Sequence, residues 1–142
     1  MANAEQSGTT PAPPRVSSEV LLEQGFDEAS LYSVRAAVAA HVCTVADART
    51  VDTMVLIAHE LASNSVRHGG GTGRLRLWLA DGFLHCEVSD AGTGLDDPAH
   101  AGHTLPAPSL PGGRGLWIAR QLSELFIVSS PAGSTITATV PL

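Results

Sequence analysis

Glu60 and Asn64 stand four residues apart in a run, Thr50 to His68, whose apolar residues recur with a helical period. Four residues of α-helix return a side chain to within about 40° of its starting direction, so both project from one face and can share one ligand. A carboxylate beside an amide suits a base that accepts a proton next to an oxygen ligand for Mg²⁺. That hard cation takes few protein ligands and prefers phosphate and water for the rest. By themselves the two residues are also what any solvated helix face carries. Asp90-Ala91-Gly92-Thr93-Gly94 follows directly on an alternating run that ends at Val88 and Ser89. An Asp there accepts from an exocyclic amine such as that of adenine, and the glycines let backbone approach a flat ring. The same five residues also make an ordinary turn. Gly112-Gly113-Arg114-Gly115 stands just before a third helical run. Free N–H groups and the positive end of a helix accommodate phosphate at such a place, although a plain loop-to-helix junction reads the same way.

Taken in order, a helical Glu-x-x-x-Asn, a hairpin, Asp-x-Gly-x-Gly, a long loop and Gly-x-Gly opening a helix are far more specific than any one piece. The chain resembles the nucleotide-binding fold shared by gyrase-type, chaperone, mismatch-repair and histidine-kinase ATPases. Two longer stretches carry a closer resemblance: His59-Glu60-Leu61-Ala62-Ser63-Asn64-Ser65-Val66-Arg67-His68-Gly69 and Gly113-Arg114-Gly115-Leu116-Trp117-Ile118-Ala119-Arg120. They are similar to small, single-domain actinobacterial members of the bacterial anti-sigma regulatory factors with serine/threonine protein kinase activity. The resemblance spans roughly residues 20 to 142.

That resemblance implies ATP and Mg²⁺ as cofactors. It implies Glu60 as general base on the attacking hydroxyl, Asn64 as Mg²⁺ ligand, and Asp90 as reader of the adenine amine, in a pocket shaped by Gly92 and Gly94. Gly113 and Gly115 are implied to hold phosphates, with His68, Arg114 and Leu116 as further nucleotide-binding positions. It also implies two protein partners. One is a sigma factor that the chain sequesters, and the other is an anti-anti-sigma antagonist whose serine or threonine it phosphorylates. Arg35 occupies a place comparable to that of a first-helix arginine that contacts the sigma factor, although a helix arginine lying along the surface reads the same way. A homodimer is compatible with the resemblance.

One segment departs from the pattern. The lid, about residues 95 to 111, contains no Arg or Lys, and Pro111 stands where relatives often carry a cation ahead of the paired glycines. A donor that meets the transferring phosphoryl group matters more for transfer than for nucleotide affinity. The alternative function is therefore a non-catalytic or weakly catalytic nucleotide-binding module that sequesters its sigma factor. His100 and His103 share the lid, but without a third or fourth ligand they do not make a zinc site.

Elements must hold these residues in place. Residues 1 to 15 are small and polar with three prolines and are expected as a flexible tail, with the ATP-binding domain running from 16 to 142. An extended piece from Glu19 to Phe26 leads to Asp27, a candidate N-cap for a helix to about Cys43 with an apolar stripe of Leu31, Val34, Val38 and Val42. The second helix is expected from Thr50 to His68, burying Met54, Ala58, Leu61 and Ser65 and stopping at Gly69-Gly70-Gly71. Leu75, Leu77 and Leu79 then alternate with Arg74, Arg76 and Trp78, and after a Gly82 turn Leu84, Cys86 and Val88 alternate with His85 and Glu87. This predicts a hairpin with one wet face. A third helix from Leu116 to Leu125 precedes two more strands, Phe126 to Ser129 and Ile136 to Val140. The expected fold is α+β, a two-layer α/β sandwich of the Bergerat ATP-binding type, with helices on one face of a mainly antiparallel mixed sheet.

Composition narrows the chemistry further. The chain has 142 residues, 44% of them hydrophobic, 14 acidic residues against eight basic ones, and a formal charge of −6, which is one domain's length and an ordinary core. All eight basic residues are Arg, so Schiff-base chemistry and a lysine-dependent P-loop are excluded. The negative balance argues against direct nucleic-acid binding. Cys43 and Cys86 read as buried free thiols, and with no apolar leader or membrane-length run the expected setting is a reducing cytoplasm, away from membranes.

Overall fold

The computed structural model describes residues 18–94, 98, 101–103 and 114–142. The expected tail, most of the expected lid including His100 and Pro111, and Gly113 lie outside the described residues.

Strand β1, Ser18–Asp27, ends at the residue expected to cap a helix. Asp27 Oδ1 accepts the Ser30 N–H at 3.1 Å while Ser30 Oγ accepts the Asp27 N–H at 2.8 Å, a reciprocal box that starts a 3-10 turn over Glu28–Ser30. Helix α1 follows over Leu31–Val42 and buries Val34, Val38 and Val42 completely, one residue per turn along one stripe. Helix α2, Ala48–His68, starts two residues before the expected Thr50 because Asp47 caps it, accepting from the Thr50 N–H at 2.9 Å. That bond holds the Asp47 carboxyl below its ordinary pKa. The helix stops at Gly69, whose N–H donates to Ser65 O at 2.7 Å.

Strands β2, Thr72–Ala80, and β3, Phe83–Asp90, form the expected hairpin. Asp81 and Gly82 both take positive φ, 55° and 83°, the combination that a two-residue hairpin turn requires. Helix α3 spans Arg114–Leu122, and strands β4, Glu124–Ser130, and β5, Gly133–Pro141, complete the chain. The expected third helix therefore begins earlier and ends earlier than its periodicity suggested. Leu125 belongs to β4, where it pairs with Ala138 and fills the core from the sheet side.

The sheet runs β1-β2-β3-β5-β4, and every described pairing is antiparallel. The fold is the expected α+β sandwich, with no parallel pair among the described strands where a mixed sheet was expected. One face of the sheet carries Leu75, Leu77, Leu84, Cys86, Val88, Ile136, Ala138 and Val140 into a core closed by Met54, Ile57, Ala58 and Leu61 of α2, with Val34, Val38 and Val42 of α1. The other face is mainly polar across β1, β2 and β3, Trp78 apart, and on β4 it exposes Phe126 and Val128. Glu23 lies 3.6 Å from Arg74 and 3.3 Å from Arg76, and the Arg76 guanidinium stands over Trp78, which stacks on His85 at 4.9 Å. Cys86 is buried as expected, whereas Cys43 is exposed. It lies one residue beyond α1, past the end of the Val34, Val38, Val42 stripe, so nothing turns it inward. Among the described residues, no helix is long and apolar enough to cross a membrane.

Candidate functional site

The C-terminal half of α2 gathers the polar residues that the apolar pattern leaves unexplained. Glu60 is partly buried, and Asn64, one turn further on, is only 6% exposed, a degree of burial unusual for an amide that packing alone would place in solvent. Ser65 is next. Its hydroxyl donates to Asp90 Oδ2 at 3.0 Å, while the Gly92 N–H donates to Asp90 Oδ1, also at 3.0 Å. Both carboxylate oxygens are thus fixed from two sides, and each keeps a lone pair for a further donor.

Glycines set how closely these pieces approach. A Cβ on Gly69 would overlap the Asp90 carboxyl group, and one on Gly92 would stand 2.5 Å from Gly69 Cα. The turn after β3 therefore lies directly on the end of α2. Behind it, Gly94 at φ +88° presses against the Ser130 carbonyl, and Gly133 abuts the Asp90 carbonyl, so the β4–β5 turn backs the Asp-x-Gly-x-Gly segment. On the other side, a Cβ on Gly115 would come within 2.8 Å of Glu60 Oε1. The first turn of α3 is thus seated against the Glu60 carboxylate, and its first backbone N–H groups lie at that end of the helix.

Along the C-terminal half of α2 the structure sets Gly115 and Leu116 beside Glu60, and Asp90 and Gly92 beside Ser65 and Gly69, with Asn64 between the two contacts and Gly94 held behind by Ser130. Leu116 is 4% exposed and packs into the core from beside Gly115, while Arg114, at the start of α3, and His68, at the end of α2, are exposed. Arg35 is not part of this cluster. It is exposed on α1 with its Cζ 5.7 Å from the Tyr32 ring centroid, and it lines an open groove of about 430 Å³ with Ala39, Val51, Asp52, Val55, Leu56 and His59. His59, the neighbour of Glu60, has a buried Nδ1 with no hydrogen-bond partner among the described residues. Among those residues no group of three or more His, Cys, Asp or Glu side chains could hold a metal ion.

Ser65 and Gly69 are the residues that sequence reasoning did not assign to the site. Ser65 reads as one more small residue on a buried helix face, and its bond to Asp90 joins positions 25 apart in the chain. Gly69 carried a signal only as a helix stop.

The histidine kinase-like ATPase domain family matches residues 26–140, and the chain belongs to that family. Its fold is similar to that of the histidine kinase domain of the blue-light activated histidine kinase from Erythrobacter litoralis EL346, with a TM-score of 0.56 and 22% sequence identity. The match covers 80% of this chain and 64% of the other, so the chain corresponds to somewhat less than two thirds of that protein. No curated protein matches the chain. Family membership supports ATP as the ligand.

Proposed function

We propose that the chain is an ATP-binding anti-sigma factor that sequesters a sigma factor and phosphorylates a serine or threonine of an anti-anti-sigma antagonist. The observation that carries the reading is the seating of Gly115 against Glu60, one turn from the buried amide of Asn64. A carboxylate at a phosphate-binding helix end has a use as a general base for a hydroxyl attacking the terminal phosphate. There it accepts the proton as the new O–P bond forms.

The remaining roles follow from chemistry. Asp90 accepts from the adenine amine. Gly92 and Gly94 shape its pocket by letting the turn after β3 pack on Gly69 and Ser130, while Gly113, Arg114 and Gly115 meet phosphates, with His68 and Leu116 bounding the same cleft. Asn64 fits a Mg²⁺ site by donor type, since one amide oxygen near a carboxylate suits a hard cation that draws its other ligands from phosphate and water. When bound, the cation neutralises charge on the phosphates. Arg35 offers the sigma factor a positive group in a groove that Ala39, Val51, Val55 and Leu56 make mainly apolar and that Asp52 and His59 also line. The second reading, sequestration with little or no phosphotransfer, is favoured by the lid, where Pro111 supplies neither charge nor N–H.

Incubation with radiolabelled ATP, Mg²⁺ and candidate antagonist proteins tests the proposal. The expected result is label on one antagonist, lost in Glu60→Ala although that variant still binds ATP. Asn64→Ala should lose both, because a metal ligand matters before as well as during transfer. Labelling by Glu60→Ala at the wild-type rate excludes the mechanism. Tight ATP binding with no labelled antagonist supports the second reading.

A further inference from the structure

The long connection between β3 and α3 has a described stretch, Ala101 to His103, whose Ala101 and Gly102 lie against α3. Arg120 Nε donates to the Ala101 carbonyl at 2.6 Å, and its Nη1 reaches the Leu125 carbonyl at 3.5 Å. One guanidinium thereby spans the loop, the helix and the start of β4. Its described partners are carbonyls rather than a carboxylate. Such an arrangement uses the fork of directed N–H groups that arginine has and lysine lacks. Next to it, Gly102 adopts φ +79°, and a Cβ there would stand 2.7 Å from the Leu116 carbonyl oxygen. The loop backbone therefore rests on the helix backbone with no side chain between. Ala101 is partly buried against the core.

Leu116 adjoins Gly115, the residue seated against Glu60. Helix α3 thus presents its first turn to the candidate site while its later turns hold the loop. Gly115 and Arg120 are five residues apart, about 7.5 Å along the axis. A helix this short moves as one body, so the loop position and the glycine junction are set together.

We propose that Arg120 is a positioning residue for nucleotide binding: it fastens residues 101 to 103, between β3 and α3, to the helix whose first turn meets the phosphates. The proposal rests on the ATP-binding reading of the site. Its energetic content is preorganisation. A ligand that needs the loop docked binds in proportion to the docked fraction, so a fall in that fraction from nearly all to about a tenth raises the apparent dissociation constant about tenfold.

Hydrogen exchange of the amides at 101 to 103, read without nucleotide, and calorimetric ATP affinity in magnesium buffer test it together. Arg120→Ala should raise exchange at those amides at least about tenfold and weaken ATP about fivefold to tenfold, with Arg120→Lys recovering only part of each. Gly102→Ala, which leaves the arginine intact and lifts the loop from the other side, should do the same and guards against a folding defect peculiar to Arg120→Ala. Faster exchange with unchanged ATP affinity overturns the positioning role, since the contact is then structural only. Unchanged exchange overturns it as well, because Arg120 then does not hold the loop. A wild-type protein that binds no adenine nucleotide overturns the proposed function and the positioning role with it, whereas loss confined to the variants leaves that function standing.

Discussion

Asp90 carries the recognition argument at the scale of single residues, because its two oxygens are held by donors from different segments, the Ser65 hydroxyl and the Gly92 N–H. In its proposed role this carboxylate accepts from the 6-amino group of adenine, whereas guanine presents a carbonyl oxygen at that position. Two facing acceptors with no proton between them cost about 1–3 kcal/mol, so ATP should bind roughly tenfold to a hundredfold more tightly than GTP. Calorimetry checks this. Equal affinity for the two nucleotides, or unchanged ATP binding in Asp90→Ala, removes Asp90 from its role. Ser65→Ala offers a finer test. Ser65 is 1% exposed, so the variant leaves one Asp90 oxygen without its buried donor. ATP affinity should fall about threefold to tenfold, less than in Asp90→Ala, with the ATP-over-GTP preference reduced. An unaltered affinity would mean that the hydroxyl only fills space.

At the scale of elements, the glycine contacts give the sharpest expectations. Gly69→Ala drives a methyl group into the Asp90 carboxyl and to within 2.7 Å of the Ser65 carbonyl, neither of which can move without uncoupling β3 from α2. Its thermal midpoint should fall by several degrees and its ATP affinity should collapse. Gly115→Ala meets chiefly the far end of the Glu60 side chain, which can rotate away. That variant should stay folded and bind ATP while losing most of the proposed phosphotransfer, because the proposed base is displaced. Single-turnover labelling separates the two effects. Arg35→Glu tests the partner surface. It should weaken the proposed sigma-factor complex by about 1 kcal/mol or more, since charge reversal at an interface acts strongly, and leave ATP binding unchanged. A change of only a few tenths would mark Arg35 as an ordinary surface residue.

How much of this was legible beforehand differs from element to element, for physical reasons. Alternation in β2, β3 and β5 and the Val34, Val38, Val42 stripe are local patterns that burial on one face imposes, and the structure repeats them. The box between Asp27 and Ser30 was half visible, as a single N-cap. Leu125 fits either the last turn of a helix or an inward strand position, and only its pairing with Ala138 decides. Within the candidate site, Glu60 and Asn64 show in the sequence because they are close together on one helix. Ser65 with Asp90, Gly69 with Asp90 and Glu60 with Gly115 are contacts between separate elements, which no local spacing encodes.

For the molecule as a whole, the two thiols report on folding from opposite positions. Cys86 is wholly buried on β3 between the sheet and α2, and burial pushes its thiol up to about 12 from an ordinary 9.0, since a thiolate there would be stranded without water. The folded state therefore keeps the proton over a range in which the unfolded chain releases it. With fewer protons bound to the unfolded form, stability falls as pH rises, starting near the unfolded value of 9.0 and continuing toward 12. The slope from this group alone is about 1.4 kcal/mol per pH unit inside that window. Cys86→Ala should begin less stable at neutral pH, because it empties core volume, yet lose less of its stability between pH 8 and 10.5 (about 2 kcal/mol less on that slope). Denaturant titrations of both proteins at several pH values check the crossing trend, and parallel curves would remove Cys86 as its cause. Cys43, exposed beyond α1, gives the internal control. In the native protein a thiol reagent should modify one cysteine quickly, while the second reacts only as fast as the chain opens, at a rate that drops when ATP stabilises the fold.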